Sequence, residues 1–133
     1  MSRPAWEKPI YNPAPISLGG TVTLTNVGTA YDAVNVSKGL GLAKVDFTNS
    51  TSAEFTVFVN KVGTGTQSWQ LWNVTDGSQI AALDDAGAAG DKTLTTIASG
   101  ASLPAGMKVV RVRAKSTTGA DDPIYYGGYI LLG

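Results

Sequence analysis

From residue 17 onward, apolar and polar positions alternate with a period of two, in short runs separated by Gly, Ser, Thr, Asn and Asp. Thr21 to Thr25 alternates β-branched polar and apolar residues and stops at the turn sequence Asn26-Val27-Gly28. Leu40-Gly41-Leu42 leads into Val45 and Phe47, where the apolar phase slips and a bulge near Gly41 to Lys44 is expected. In Glu54 to Lys61 the side chains of Phe55, Val57 and Val59 fall on one face and Phe58 on the other. Ser68 to Thr75 sets Trp69 and Leu71 against Trp72 and Val74. Asp76-Gly77 then reverses the chain into Gln79-Ile80-Ala81, the strongest hairpin signal in the sequence. Thr93 to Ile97, Met107 to Lys115 and Ile124 to Leu132 complete the set.

The alanine-rich stretch from Ala81 to Ala89 is expected to be a long loop, because Gly87, Gly90 and the Asp84-Asp85 pair oppose a stable helix. Seven to nine short strands with hardly any helix predict an all-β fold, a single antiparallel β-sandwich or jelly roll. Residues 1–16 follow a different rule. Pro4, Pro9, Pro13 and Pro15 fix φ and remove backbone donors, so an extended, polyproline-like arm is expected there, followed by the sandwich domain over 17–133. Trp6, Ile10 and Tyr11 are its large apolar groups and its candidate anchors, on its own domain or on a neighbouring subunit.

A chain of 133 residues is one domain, and 43% hydrophobic with 15% charged residues is the balance of a folded chain. Lys+Arg and Asp+Glu stand at 10 each, so no global field draws nucleic acid or an anionic membrane, and neither is expected as a partner. The absence of histidine and cysteine removes His-based acid–base catalysis, Ser-His-Asp and Cys-His nucleophiles, disulfides and metal sites of the N/S type. No apolar leader begins the chain and no run reaches transmembrane length. The chain stops directly after its last strand, so an attachment element is expected at the other end.

Three groups of residues are candidate sites. Arg111, Arg113 and Lys115 alternate with Val110, Val112 and Ala114, which reads as a two-faced strand with a solvated basic stripe, or as a surface that meets an acidic partner. Trp69 and Trp72 lie three apart and face opposite sides, so one belongs to the core and the other to the outside. An outward tryptophan with Tyr125, Tyr126 and Tyr129 would form a platform for a sugar ring; core or subunit contact is the competing assignment. Asp84, Asp85 and Asp91 in one loop and Asp121-Asp122 in another fit no calcium signature and are expected to be solvated; as catalysts they lack a cleft. No catalytic residue, metal ligand or cofactor is assigned.

From about residue 45 the order of features is Gly63-Thr64-Gly65-Thr66, then Leu71-Trp72-Asn73-Val74-Thr75-Asp76-Gly77, Leu103-Pro104-Ala105-Gly106 and Val109-Val110-Arg111-Val112-Arg113-Ala114-Lys115, closed by an aromatic strand. This order resembles the jelly-roll domains of tailed-phage virion proteins, found in fibres and capsid decoration proteins and akin to carbohydrate-binding modules. The likeness covers roughly two thirds of the chain and brings no shared catalytic residues with it. It implies a non-enzymatic virion protein, a decoration or cement protein on the capsid surface. The partners so implied are the major capsid protein or other virion proteins, with the chain itself as a homotrimer. A carbohydrate- or receptor-binding module of a fibre is the alternative.

Overall fold

The computed structural model describes residues 14–31 and 39–133. Trp6, Ile10, Tyr11 and most of the Pro-rich segment lie outside these residues. The strands are β1 (Ile16–Ser17), β2 (Val22–Thr23), β3 (Ala43–Asp46), β4 (Ser52–Lys61), β5 (Gln67–Asn73), β6 (Ser78–Asp85), β7 (Gly90–Ser99), β8 (Met107–Ser116) and β9 (Ile124–Leu132). The one helical element among the described residues is a 3-10 turn at Gly100–Ser102.

The strands form two antiparallel sheets. One has the order β1-β9-β4-β7, with β2 also paired to β9, and the other has the order β3-β8-β5-β6. Strand partners are nested: β5 with β6, β4 with β7, β3 with β8, and β1 and β2 with β9. A long antiparallel hairpin closed at Asp76-Gly77 and rolled up would give these pairings, which define a jelly roll. Its closing turn is built as expected: the Gly77 N–H donates to the Asn73 carbonyl at 2.9 Å, and Gly77 sits at φ 66°.

The alternating apolar residues meet between the sheets. Ala53, Phe55, Val57 and Val59 of β4 and Ile130 of β9 face Trp69 and Leu71 of β5 and Val110, Val112 and Ala114 of β8, all buried. Trp69 and Tyr125 are the largest fully buried side chains, their rings 5.8 Å apart across the core. The Tyr125 hydroxyl donates to the Leu18 carbonyl, and burial pushes its pKa up.

Two irregularities set which way the aromatic residues point. The β4–β9 register shifts between Phe58 and Val59, where Phe58 pairs with Gly127 and Val59 with Tyr125, leaving Tyr126 as an extra residue. Tyr125 and Ile130 are five apart and would face opposite sides of a regular strand; the extra residue brings both into the core. The same shift puts Tyr126 and Tyr129, three apart, on the outer face. Gly127 has φ 129°, a region closed to other residues, and a Cβ there would stand 2.8 Å from the Gly19 carbonyl oxygen. A second shift lies between Leu71 and Trp72, opposite β6, and buries Ile80 and Ala81 in succession.

Several expectations change. The segment from Ala81 is strand as far as Asp85, and β7 begins at Gly90, so the loop spans only 86–89. A strand tolerates the alanines here because β6 lies beside β5, with Trp69 opposite Leu83 and Gln70 opposite Ala82. The phase slip near Gly41 is a turn, closed by the Leu42 N–H on the Gly39 carbonyl with Gly41 at φ 61°, ahead of a regular β3. Ile16, the last residue of the expected arm, is paired with Ile130.

Candidate functional site

The outer face of the β3-β8-β5-β6 sheet carries Arg111, Arg113 and Lys115 from β8 and Ser68, Gln70 and Trp72 from β5. Register sets Ser68 beside Lys115, Gln70 beside Arg113 and Trp72 beside Arg111. The basic stripe is not simply solvated. Arg111 is buried, and Arg113 and Lys115 are half-buried. The Arg113 guanidinium lies 4.2 Å from the centre of the Trp72 ring and 5.9 Å from that of Tyr31, and its Nε donates to the Tyr31 carbonyl at 3.4 Å. The Lys115 ammonium lies 4.5 Å from the centre of the Tyr31 ring. Cations held against aromatic faces are already ordered for a partner.

Below them Ser68 donates to Asp84, and the Gln70 amide donates to the Gln79 side-chain oxygen at 2.8 Å. Burial pushes the Tyr31 hydroxyl up and Asp84 adds to this, while a hydrogen bond with Ser68 and the charge of Arg113 act against it; the net shift is upward. Tyr31 is the residue that sequence reasoning missed. It belongs to no alternating run, and only the path of the chain brings it over β8.

The five aromatics of the expected sugar platform do not share a face. Trp69 and Tyr125 are core residues and are excluded from any surface site. Trp72 stands on the basic face just described. Tyr126 and Tyr129 lie on the outer face of the other sheet, beside Phe58 of β4. Tyr126 and Phe58 are 40% and 39% exposed, enough to offer ring surface, and the Phe58 and Tyr129 rings are 6.1 Å apart. Asp91 Oδ1 accepts from the Asn60 amide at 2.7 Å and from the Tyr126 hydroxyl at 3.0 Å, so the Tyr126 side chain reaches over β4 to β7. Between these side chains opens a cavity of about 330 Å³, lined by Phe58, Val59, Asp91, Lys92, Thr93 and Tyr126.

Asp84, Asp91 and Asp122 are exposed, as expected, but Asp85 and Asp121 are not. Asp85 is buried and paired with Lys92 at 2.6 Å. Asp121 is buried and accepts from Ser116 Oγ at 2.7 Å, the Gly65 N–H at 3.1 Å and Gln67 Nε2 at 3.4 Å. Asp122 accepts from the Asn26 N–H at 2.7 Å. These carboxylates tie loops together, and no group of three or more acidic residues among the described residues is placed to hold a metal.

No family model matches the chain. No curated protein matches it either. Among solved structures it is similar to the CBM22-1 xylan-binding domain of Xyn10C from Paenibacillus barcinonensis, at 14% identity and a TM-score of 0.38, over 89% of this chain and 85% of that one. It is also similar to a chain in the structure of infectious bursal disease virus Gx strain, at 15% identity and a TM-score of 0.37, over 83% of this chain. The match spans 31% of that viral chain. Both TM-scores lie below one half, too low to carry a functional argument.

Proposed function

We propose that this chain is a non-enzymatic structural protein of a virion, a capsid decoration protein that binds the particle through the outer face of its β3-β8-β5-β6 sheet. The observation that supports this most is the ordering of Arg113 and Lys115 on Trp72 and Tyr31. Trp, Tyr and Arg are the residues that dominate the energetics of protein interfaces, and here Trp72 and Arg113 stand on paired strands with little freedom left to lose on docking. The sequence resemblance to tailed-phage jelly rolls supplies the nature of the partner, the major capsid protein or another virion protein. In this reading the Pro-rich arm, with Trp6, Ile10 and Tyr11, reaches a neighbouring subunit or the shell, and the assembled form is a homotrimer.

The test is co-sedimentation of purified protein with capsids that lack it. Arg113→Ala and Trp72→Ala, made separately, are expected to weaken capsid binding at least tenfold, since each removes one half of a stacked pair. Deletion of residues 1–15 is expected to abolish binding or to convert the trimer to monomers in analytical ultracentrifugation. Unchanged sedimentation of both point variants would refute the assigned face, and unchanged binding by the deletion would refute the role of the arm.

The second reading, a carbohydrate- or receptor-binding module of a phage fibre, is favoured by the aromatic-lined cavity on the opposite sheet.

A further inference from the structure

We propose that the cavity between Tyr126 and β7 is a binding subsite for a single neutral pyranose ring. The inference deepens the carbohydrate reading and does not depend on how the chain attaches to a particle. The platform differs from the one the sequence suggests: it consists of Phe58, Tyr126, Asn60, Asp91 and Thr93, and uses neither tryptophan of β5.

A sugar ring has an apolar C–H face and a polar edge, and the cavity offers a counterpart to each. Tyr126 and Phe58 supply exposed ring surface for the C–H face. Asp91 supplies the polar edge. Its Oδ1 is occupied by the Asn60 amide and the Tyr126 hydroxyl, which fixes the carboxylate and leaves Oδ2 for a ligand hydroxyl. The adjacent Thr93 hydroxyl, on the same face of β7, can donate or accept. These side chains project from paired strands, with Phe58 opposite Thr93 and Asn60 opposite Asp91, so the arrangement is largely set before a ligand arrives. The Tyr126 ring reaches Asp91 only because the β9 bulge turns it outward.

Charge selects the class of sugar. Lys92 also lines the cavity, but its ammonium is engaged with Asp85 at 2.6 Å. The partners of Asp91 are a neutral amide and a neutral hydroxyl, so its negative charge is not compensated within the site. A uronate or sialate carboxylate would meet like charge, whereas a neutral pyranose would not. The volume of about 330 Å³ lies at the small end of ligand sites, which span roughly 300–1,000 Å³. One ring fits; a buried oligosaccharide does not.

The test is saturation-transfer NMR on the full chain with the methyl glycosides of glucose, galactose, mannose and xylose, and with methyl glucuronide as the anionic counterpart. At least one neutral glycoside is expected to bind, with a Kd on the order of 1 mM for so small a contact. Tyr126→Ala and Asp91→Ala are each expected to weaken that binding at least tenfold, with the amide spectrum confirming an unchanged fold. Met107→Ala, at an exposed position on the other sheet, is expected to leave it unchanged. Absence of transfer to all four neutral glycosides would overturn the proposal. So would equal transfer in the Tyr126 and Asp91 variants, or tighter binding of the glucuronide.

Discussion

Replacing Trp69 by alanine is expected to lower the free energy of unfolding by about 4 kcal/mol, read from a guanidinium titration with its slope unchanged. Trp69 is fully buried at the centre of β5, where it bridges the sheets to Tyr125. Alanine would leave a void between strands paired on both sides, since β5 is bonded to β6 and to β8 and cannot move inward to fill it. The loss is one of packing, because the whole side chain lies in the core. Against a usual total of about 5–15 kcal/mol, a change of this size brings a domain close to unfolding. A loss below about 1 kcal/mol would mean that the core collapses around the gap, and would sink the account of a rigid sandwich centre.

Asp121→Ala is expected to cost about 3 kcal/mol, although the residue sits in a loop. Its carboxylate gathers donors from Ser116, from the Gly65 backbone and from Gln67, and its own carbonyl accepts from the Val27 N–H. Gln67 would keep its bond to the Val62 carbonyl, but removing the carboxylate leaves the buried Ser116 hydroxyl and Gly65 N–H without this acceptor, which costs more than the bonds themselves contribute. Burial pushes this carboxyl up, but hydrogen bonds from Ser116, Gln67, Gly65 and Thr64 outweigh it and hold its pKa below the ordinary 3.8. A carboxyl depressed in the folded state stabilises fully above its unfolded value. That stability is lost as pH falls from about 3.8 through the lower folded value. Asp46 and Asp76 are depressed as well, chiefly by hydrogen bonds from Thr48 and Lys108, so the acid limb of the whole protein is shared. Asp121→Asn isolates one contribution: its stability at neutral pH is expected to fall, and its decline below pH 3.8 to be shallower than that of the parent chain. Parallel acid limbs for the two proteins would show that Asp121 is not held ionised by its donors.

The two faces with exposed chemistry differ in how they could have been read. The alternation of Arg111, Arg113 and Lys115 with apolar partners identifies a two-faced strand, and β8 runs from Met107 to Ser116 accordingly. Alternation says nothing of what lies over the strand. The stacking on Trp72 and Tyr31 arises from β5 lying next to β8 and from the path of a segment some eighty residues upstream. On the opposite sheet, Phe58 is legible as outward, but Asn60 and Asp91 come together only through the pairing of β4 with β7. Two of the acidic residues, Asp85 and Asp121, were the least legible. A strand-end Asp85 paired with Lys92 and a loop Asp121 buried under its donors carry the same local sequence signature as solvated loop charge.

What the sequence alone determined is the class of fold and most strand positions. A period of two, broken by Gly, Asn and Asp, forces each apolar residue to one side of a pleated strand and leaves a sandwich as the way to bury that side. It also determined the chemistry available, because a chain without histidine or cysteine has few reactive groups whatever its shape. Only the tertiary structure decided the jelly-roll order, since nested pairing depends on which distant strands meet, and period two is the same for every order. It alone decided which aromatics are core and which are surface. Tyr125, Tyr126 and Tyr129 sit within five residues of one another, and a single extra residue opposite Phe58 and Val59 sends the first inward and the other two out. A bulge changes the phase of everything after it, and its position is set by the partner strand and by the φ that Gly127 permits, neither of which is written in the alternation.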